Sequence, residues 1–168
     1  NWPRRWFDRW LPSGSTRRET SSLALKLAAA WVVVQLLYPL RSHLYPGNIL
    51  WTEDGYRFSW RVMLIEKAGS ADFTVTDPQS GHRREVRVRD WLTPLQEKMM
   101  STQPDMIRAF AWMIADDAEK KGEPRPKVTA DVVVTLNGRA PARLVDPNVD
   151  LAAEPLRAFG TPWVLPSP

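Results

Sequence analysis

Side chains that commonly build metal sites or catalytic centres are few in this sequence and are not grouped. The chain has no cysteine, and its two histidines, His43 and His82, have no partners at metal-ligand spacing. Asp116 and Asp117 are neighbours on a predicted helix and point in different directions, so they are not a carboxylate pair. The sequence lacks a glycine-rich phosphate loop, a nucleophile elbow and an HExxH motif. The residues alone therefore predict neither a metal site nor an active site.

Oxygen-bearing side chains do come together in one turn, Asp-Pro-Asn-Val-Asp at residues 146–150. A calcium loop needs regularly spaced oxygen ligands and a closing glutamate, and both are missing here. The turn is therefore predicted to be structural.

A different kind of chemistry is indicated by the aromatic stretch Tyr45–Trp60, which carries four aromatic side chains in its last ten residues. Aromatic rings with a polar edge suit the boundary between lipid and water, so the stretch is interpreted as a joint between a membrane span and a polar domain. A second interpretation, compatible with the first, is that Tyr56, Phe58 and Trp60 form one face of a half-buried strand.

The element before this stretch is the long apolar run Leu23–Leu40, which predicts a transmembrane helix over residues 21–44. Lys26 can extend its ammonium group to the membrane surface. The predicted interfacial anchors are Lys26, Trp31, Tyr38 and Tyr45. A cleaved signal peptide and a buried helix of a water-soluble protein are the alternatives.

The net charge of +4 is concentrated at the N-terminus. Residues 1–26 hold six basic and two acidic side chains, and the remainder holds 17 of each sign. Residues 1–20 are therefore predicted to be a basic interfacial arm beside membrane lipids, with the last turn of an earlier span as the alternative. The positive-inside rule places the N-terminus in the cytoplasm and residues 45–168 outside it. A charge-balanced domain does not indicate a nucleic-acid partner.

Residues 45–168 are predicted to be an α+β domain that is rich in antiparallel strands, sandwich-like, and contains one main amphipathic helix. The helix is predicted between Pro104 and Gly122, after a shorter one over residues 91–100. Asn137-Gly138 predicts a two-residue hairpin turn. The predicted strands cover residues 56–66, 73–75, 85–89, 127–136 and 139–145. The proline-rich tail is predicted to be extended and irregular.

Several short motifs resemble the vitamin K-dependent γ-glutamyl carboxylase family and its bacterial relatives with an HTTM (horizontally transferred transmembrane) domain. The resemblance covers about residues 25–165. Its motifs are Trp51-Thr52, Gly55-Tyr56, Phe58-Ser59-Trp60 with Met63, Val75-Thr76-Asp77 with Ser80-Gly81, Asp146-Pro147-Asn148-Val149-Asp150, and Thr161-Pro162-Trp163-Val164 with Pro166.

The resemblance implies the last transmembrane helix and the lumenal, or periplasmic, domain of a multi-span enzyme. Such enzymes use reduced vitamin K, oxygen and carbon dioxide to carboxylate peptide glutamates, and their catalytic lysine lies in earlier spans. No catalytic residue and no cofactor is therefore expected in this chain. The resemblance also implies four residues that handle a glutamate-containing peptide, Trp51, Tyr56, Ser59 and Trp60. Other membrane-spanning segments or subunits are the implied protein partners. The alternative is a single-span, non-catalytic scaffold subunit of a larger membrane complex.

Overall fold

The computed structural model describes residues 21–61, 63–157 and 160–168. The predicted basic arm, residues 1–20, lies outside the described residues. The chain divides into two units, Asn1–Leu37 and Tyr38–Pro168.

The described part of the first unit is helix α1, Ser22–Leu37. Its apolar side chains surround the helix on all sides, and none of its residues is buried by the described part of the chain. Pro39 cannot continue the α-helical ladder, and a 3₁₀ turn follows over Tyr38–Leu44. A membrane span needs about 20 consecutive, predominantly apolar residues, and Ser22–Leu44 has 23. By length and composition, Ser22–Leu44 is thus able to cross a membrane, and the transmembrane helix over residues 21–44 stays a prediction.

The second unit is organised around a four-stranded antiparallel sheet with strand order β2-β1-β3-β4. The strands are β1 (Lys67–Thr76), β2 (Arg83–Val86), β3 (Lys127–Leu136) and β4 (Ala142–Arg143). In β3 every second residue is buried, from Val128 to Leu136, as its valine-rich alternation predicts. The predicted fourth strand is confirmed, whereas β2 begins and ends earlier than the predicted 85–89.

Helix α4, Pro104–Lys120, covers the buried face of the sheet. Its apolar side chains recur at helical spacing, and Ile107, Ala111 and Ile114 are at most 2% exposed. Phe110 meets Phe73 of β1 edge to face, with ring centroids 4.9 Å apart. Helix α3, Pro94–Met100, starts later than predicted because Thr93 and Gln96 form a capping box. The α+β class is confirmed. In the described residues the second layer is helical, not a second sheet as a sandwich would require.

The predicted Asn137-Gly138 turn is confirmed. Both residues have positive φ, 49° and 73°, and the Arg139 N–H donates to the Leu136 carbonyl at 3.1 Å. Pairing with β3 resumes only at Ala142, because Pro141 has no N–H, so the returning strand is shorter than predicted. The tail then adds a bridge, Val145 to Val164.

The strand predicted over residues 56–66 is wrong. Glu53, Gly55 and Phe58 all have positive φ, and the Tyr56 N–H closes a turn on the Glu53 carbonyl at 3.0 Å. The chain therefore turns repeatedly, and the first strand begins at Lys67. Phe58 and Trp60 are 76% and 66% exposed, so they are not a half-buried strand face.

Candidate functional site

The site begins with the short helix α2, Ile49–Thr52. Asn48 caps it by accepting a hydrogen bond from the Leu50 N–H at 3.1 Å. The helix turns Trp51 into the core, where it is 1% exposed and its indole N–H donates to the Leu165 carbonyl at 2.8 Å. Trp51 thereby joins α2 to the C-terminal tail.

A buried lysine fixes the end of α2 to the start of β1. The Lys67 ammonium donates to Glu53 Oε1 at 2.7 Å, to the Trp51 carbonyl at 2.7 Å and to the Thr102 carbonyl at 3.4 Å. Its side chain is 4% exposed. Burial lowers the pKa of Lys67, and the neighbouring Glu53 carboxylate opposes that shift. No sequence pattern predicts this site, because Lys67 lies between Glu66 and Ala68 without an apolar run around it.

The segment after α2, here called the aromatic loop, comprises residues 56–61 with Met63 and Leu64. Ser59 Oγ donates to the Tyr56 carbonyl at 2.6 Å, and the Ser59 N–H donates to the same carbonyl at 3.0 Å. Both residues are half-buried. Phe58, Trp60 and Met63 project outward, Met63 with 94% of its surface exposed. The loop is thus an apolar surface on a hydrogen-bonded turn.

Arg57 holds this loop on the domain. Its guanidinium pairs with Asp105 at 2.7 Å, and its carbonyl accepts a hydrogen bond from Arg41. The Arg41 guanidinium also lies 4.4 Å from the ring centroid of Tyr38, which meets Phe58 edge to face at 6.2 Å. The loop therefore lies against residues 38–44, the last part of the candidate membrane span.

A polar cleft of about 220 Å³ opens beside the loop. Its charged lining consists of three arginines and three acidic residues, Arg41, Arg57 and Arg157 with Glu53, Asp54 and Asp105. Its residues can contact both a carboxylate and the amide groups of a peptide.

Asp54 stands between this cleft and a larger groove of about 550 Å³ along the tail, since it lines both. Thr161 Oγ1 donates to its carboxylate at 2.9 Å. Burial raises the pKa of Asp54, the negative charge of Asp105 adds to the rise, and the hydrogen bonds from Thr161 oppose it.

The Asp-Pro-Asn-Val-Asp turn uses its carboxylates within the fold. Asp146 Oδ1 accepts from the Asn148 N–H at 2.9 Å, and Asp150 Oδ1 accepts from the N–H groups of Val128 and Ala152 at 3.0 and 3.1 Å. Within residues 21–61, 63–157 and 160–168, no three side chains of metal-ligand type are clustered.

Comparison with known protein families assigns the chain to a family. Residues 20–168 match the family described as vitamin K-dependent gamma-carboxylase, lumenal domain. The chain belongs to this family. No solved structure matches it. The predicted resemblance is thereby confirmed, and family membership and the candidate span together support attachment to a membrane.

In this lumenal domain, the four residues implied to handle substrate fall into two groups. Tyr56, Ser59 and Trp60 lie together in the aromatic loop, whereas Trp51 lies on α2 and is only 1% exposed. Direct contact with a peptide remains a prediction for the first three.

The predicted anchors are also divided. Lys26 and Trp31 lie on α1, and Trp31 is 63% exposed. Tyr38 supports Phe58. Tyr45 packs over Gly55, where a Cβ would lie 2.5 Å from its ring.

Proposed function

We propose that this lumenal domain presents a peptide glutamate to the membrane-embedded part of a γ-carboxylase-like membrane protein. One observation carries the proposal. The aromatic loop exposes Phe58 and Trp60 beside residues 38–44 of the candidate span, while the Arg57–Asp105 pair keeps its backbone in place.

Different residues of the loop and cleft would contact different parts of the peptide. Arg41 and Arg157 supply positive charge for a carboxylate, and the Tyr56 hydroxyl and Trp60 ring supply a hydrogen bond and an apolar face. Ser59 holds the turn that sets the spacing of Tyr56 and Trp60. Trp51 fixes α2, which precedes the loop, to the C-terminal tail through its hydrogen bond to the Leu165 carbonyl.

The proposed chemistry belongs to the whole membrane protein. Reduced vitamin K, oxygen and carbon dioxide would act at its membrane-embedded part, outside this chain. The proposed topology has a cytoplasmic N-terminus and a lumenal or periplasmic domain, with lipids and other spans as neighbours. Because residues 1–168 contain no cysteine, His82→Cys adds a label site at an exposed turn, and the protein without this substitution is the control for labelling elsewhere. In bacterial cells, where this topology makes the domain periplasmic, labelling of intact cells by a membrane-impermeant maleimide supports the orientation, and labelling only after lysis contradicts it.

The activity is tested on membranes that contain the native protein, with labelled carbon dioxide, reduced vitamin K and a glutamate peptide. Trp60→Ala should raise the KM for the peptide with little change in protein abundance, because the ring is exposed. Met99→Ala removes a side chain that is 45% exposed, on α3, and serves as the matched control. Equal KM values for both variants would refute the role of the loop.

The scaffold alternative makes a different prediction for the same membranes. Purification of the native protein should then yield stoichiometric partner proteins and no incorporation of label with any glutamate peptide. Incorporation that depends on reduced vitamin K would exclude a purely structural subunit.

A further inference from the structure

The sheet has a free edge at β2, which is paired on one side only, with β1. The Asp77 N–H donates to the His82 carbonyl at 2.9 Å, so these opposite residues are a hydrogen-bonded pair. In an antiparallel ladder, hydrogen-bonded and non-hydrogen-bonded pairs alternate along the two strands. Arg84 and Val86 therefore direct their backbone groups at β1, and Arg83 and Glu85 direct theirs away from it. Among the described residues, nothing pairs with the backbone of Arg83 or Glu85.

This edge is strongly basic. Residues 83–89 contain four arginines and one glutamate, Arg83, Arg84, Arg87, Arg89 and Glu85. Arg89 pairs with Glu97 at 3.4 Å, while Arg83, Arg84 and Arg87 form no ion pair with any described residue. The edge therefore combines unpaired backbone groups with three guanidinium groups that have no counterion within the described fold.

A groove of about 390 Å³ lies alongside the end of this strand. Val86 and Val88 form its apolar floor, and Arg87 and Arg89 form part of its rim. Asp72, Glu85 and Glu97 also line it, so the groove itself holds three carboxylates and two guanidinium groups. The positive charge of the edge that has no counterion among the described residues therefore lies at Arg83, Arg84 and Arg87. An added strand would place alternate side chains over the floor and against the arginines.

We propose that an extended acidic peptide segment binds here by adding a strand to the β2 edge. Hydrogen bonds to the backbone of Arg83 and Glu85 set its register. Arg83 and Arg87 are about 13 Å apart along an extended chain, so peptide carboxylates four residues apart meet both. This inference does not depend on the proposed carboxylation.

Charged side chains on an edge strand also serve to prevent self-association. The two roles differ in what they require of a partner. Strand addition needs the peptide's backbone N–H groups and its negative charge, whereas protection of an edge needs no partner.

The test uses the full chain in nanodiscs of zwitterionic lipid and a fluorescent ten-residue peptide of alternating glutamate and threonine. Fluorescence anisotropy should show saturable binding, and none for the same peptide with lysine in place of glutamate. Methylating the backbone nitrogens of either the glutamates or the threonines should weaken binding by about tenfold or more for one set only. This modification leaves the protein unchanged, so loss of folding cannot explain the result.

The protein variants test the position of the site. Arg83→Gln with Arg87→Gln should weaken binding by about fivefold or more. Arg139→Gln with Lys120→Gln removes the same charge from exposed positions elsewhere and should leave affinity within about twofold.

Three results would overturn the proposal. Equal binding of both methylated peptides would indicate attraction of charge alone. Equal weakening by the two double variants would place the site elsewhere. Absence of peptide binding, with self-association of the Arg83→Gln, Arg87→Gln chain, would show that the arginines only protect the edge.

Discussion

Replacing Lys67 with methionine should lower the free energy of unfolding by about 3 kcal/mol. The Lys67 side chain is 4% exposed, and loss of its ammonium group leaves the Glu53 carboxylate and the Trp51 carbonyl without their donor. Removing one member of a buried ion pair costs about 3–5 kcal/mol. The Glu53 side chain keeps 21% of its surface in solvent, which places the expected cost at the lower end of that range. Methionine preserves most of the apolar stem, so the loss reports on the charge.

The measurement is guanidinium unfolding in detergent micelles, followed by tryptophan fluorescence. Adding Glu53→Gln to Lys67→Met should recover about 1–2 kcal/mol, because it removes the unpaired carboxylate. Lys120→Met, at an exposed position of α4, should change stability by less than about 0.5 kcal/mol. A cost below about 1 kcal/mol for Lys67→Met, or no recovery in the double variant, would show that the contacts of Lys67 with Glu53 and Trp51 do not stabilise the end of α2.

The lowered pKa of Lys67 adds a pH dependence with a definite sign. At a pH between that lowered pKa and 10.5, the unfolded chain holds this proton and the folded chain does not. Stability from this group therefore rises with pH across that interval. Subtracting the Lys67→Met profile from the wild-type profile isolates the contribution, and a difference that falls with pH would contradict the burial argument.

The same unfolding measurement tests three further sets of substitutions, at α2 and in the residues that follow it. Trp51→Phe should cost about 2 kcal/mol, because it leaves the carbonyl of the half-buried Leu165 without its donor and shrinks a buried ring. Trp60→Ala should cost less than about 0.5 kcal/mol, and equal costs would contradict the different burial of the two rings. Gly55→Ala should destabilise by about 1–3 kcal/mol, because φ is 70° and a Cβ would meet Tyr45, and a neutral effect would show that the ring moves freely. Asp54→Asn should remove the fall in stability that wild type shows as pH rises from 3.8 through the raised pKa of Asp54; an unchanged profile would exclude that group as its source.

Periodicity in the sequence was sufficient for the elements that make the core. The spacing of Ile107, Phe110 and Ile114 predicts α4, and alternation from Val128 to Leu136 predicts β3. Both elements are long and have one apolar face, so local pattern and tertiary packing agree.

The same reasoning failed at the site, where pattern and backbone disagree. Tyr56, Phe58 and Trp60 alternate as a strand would, but positive φ at Glu53 and Phe58 turns the chain away from the sheet. Glycine is expected at such conformations, and neither residue is glycine, so the sequence carried little sign of these turns. Lys67 was missed for a related reason, since its partners are Trp51 and Glu53, at the end of α2, and Thr102, two residues after α3.

The turns at Glu53 and Phe58 bear on function. Non-glycine residues with positive φ are costly unless the surrounding contacts hold them, and here such contacts are present on both sides of the loop. Lys67 fixes Glu53, while Asp105 and Arg41 fix Arg57. The fold thus maintains a strained turn whose visible result is the exposure of Phe58, Trp60 and Met63. A segment that served only the core would turn these side chains inward, so the arrangement favours a surface that is completed by a neighbour, as the proposed presentation of a peptide to the membrane-embedded part requires.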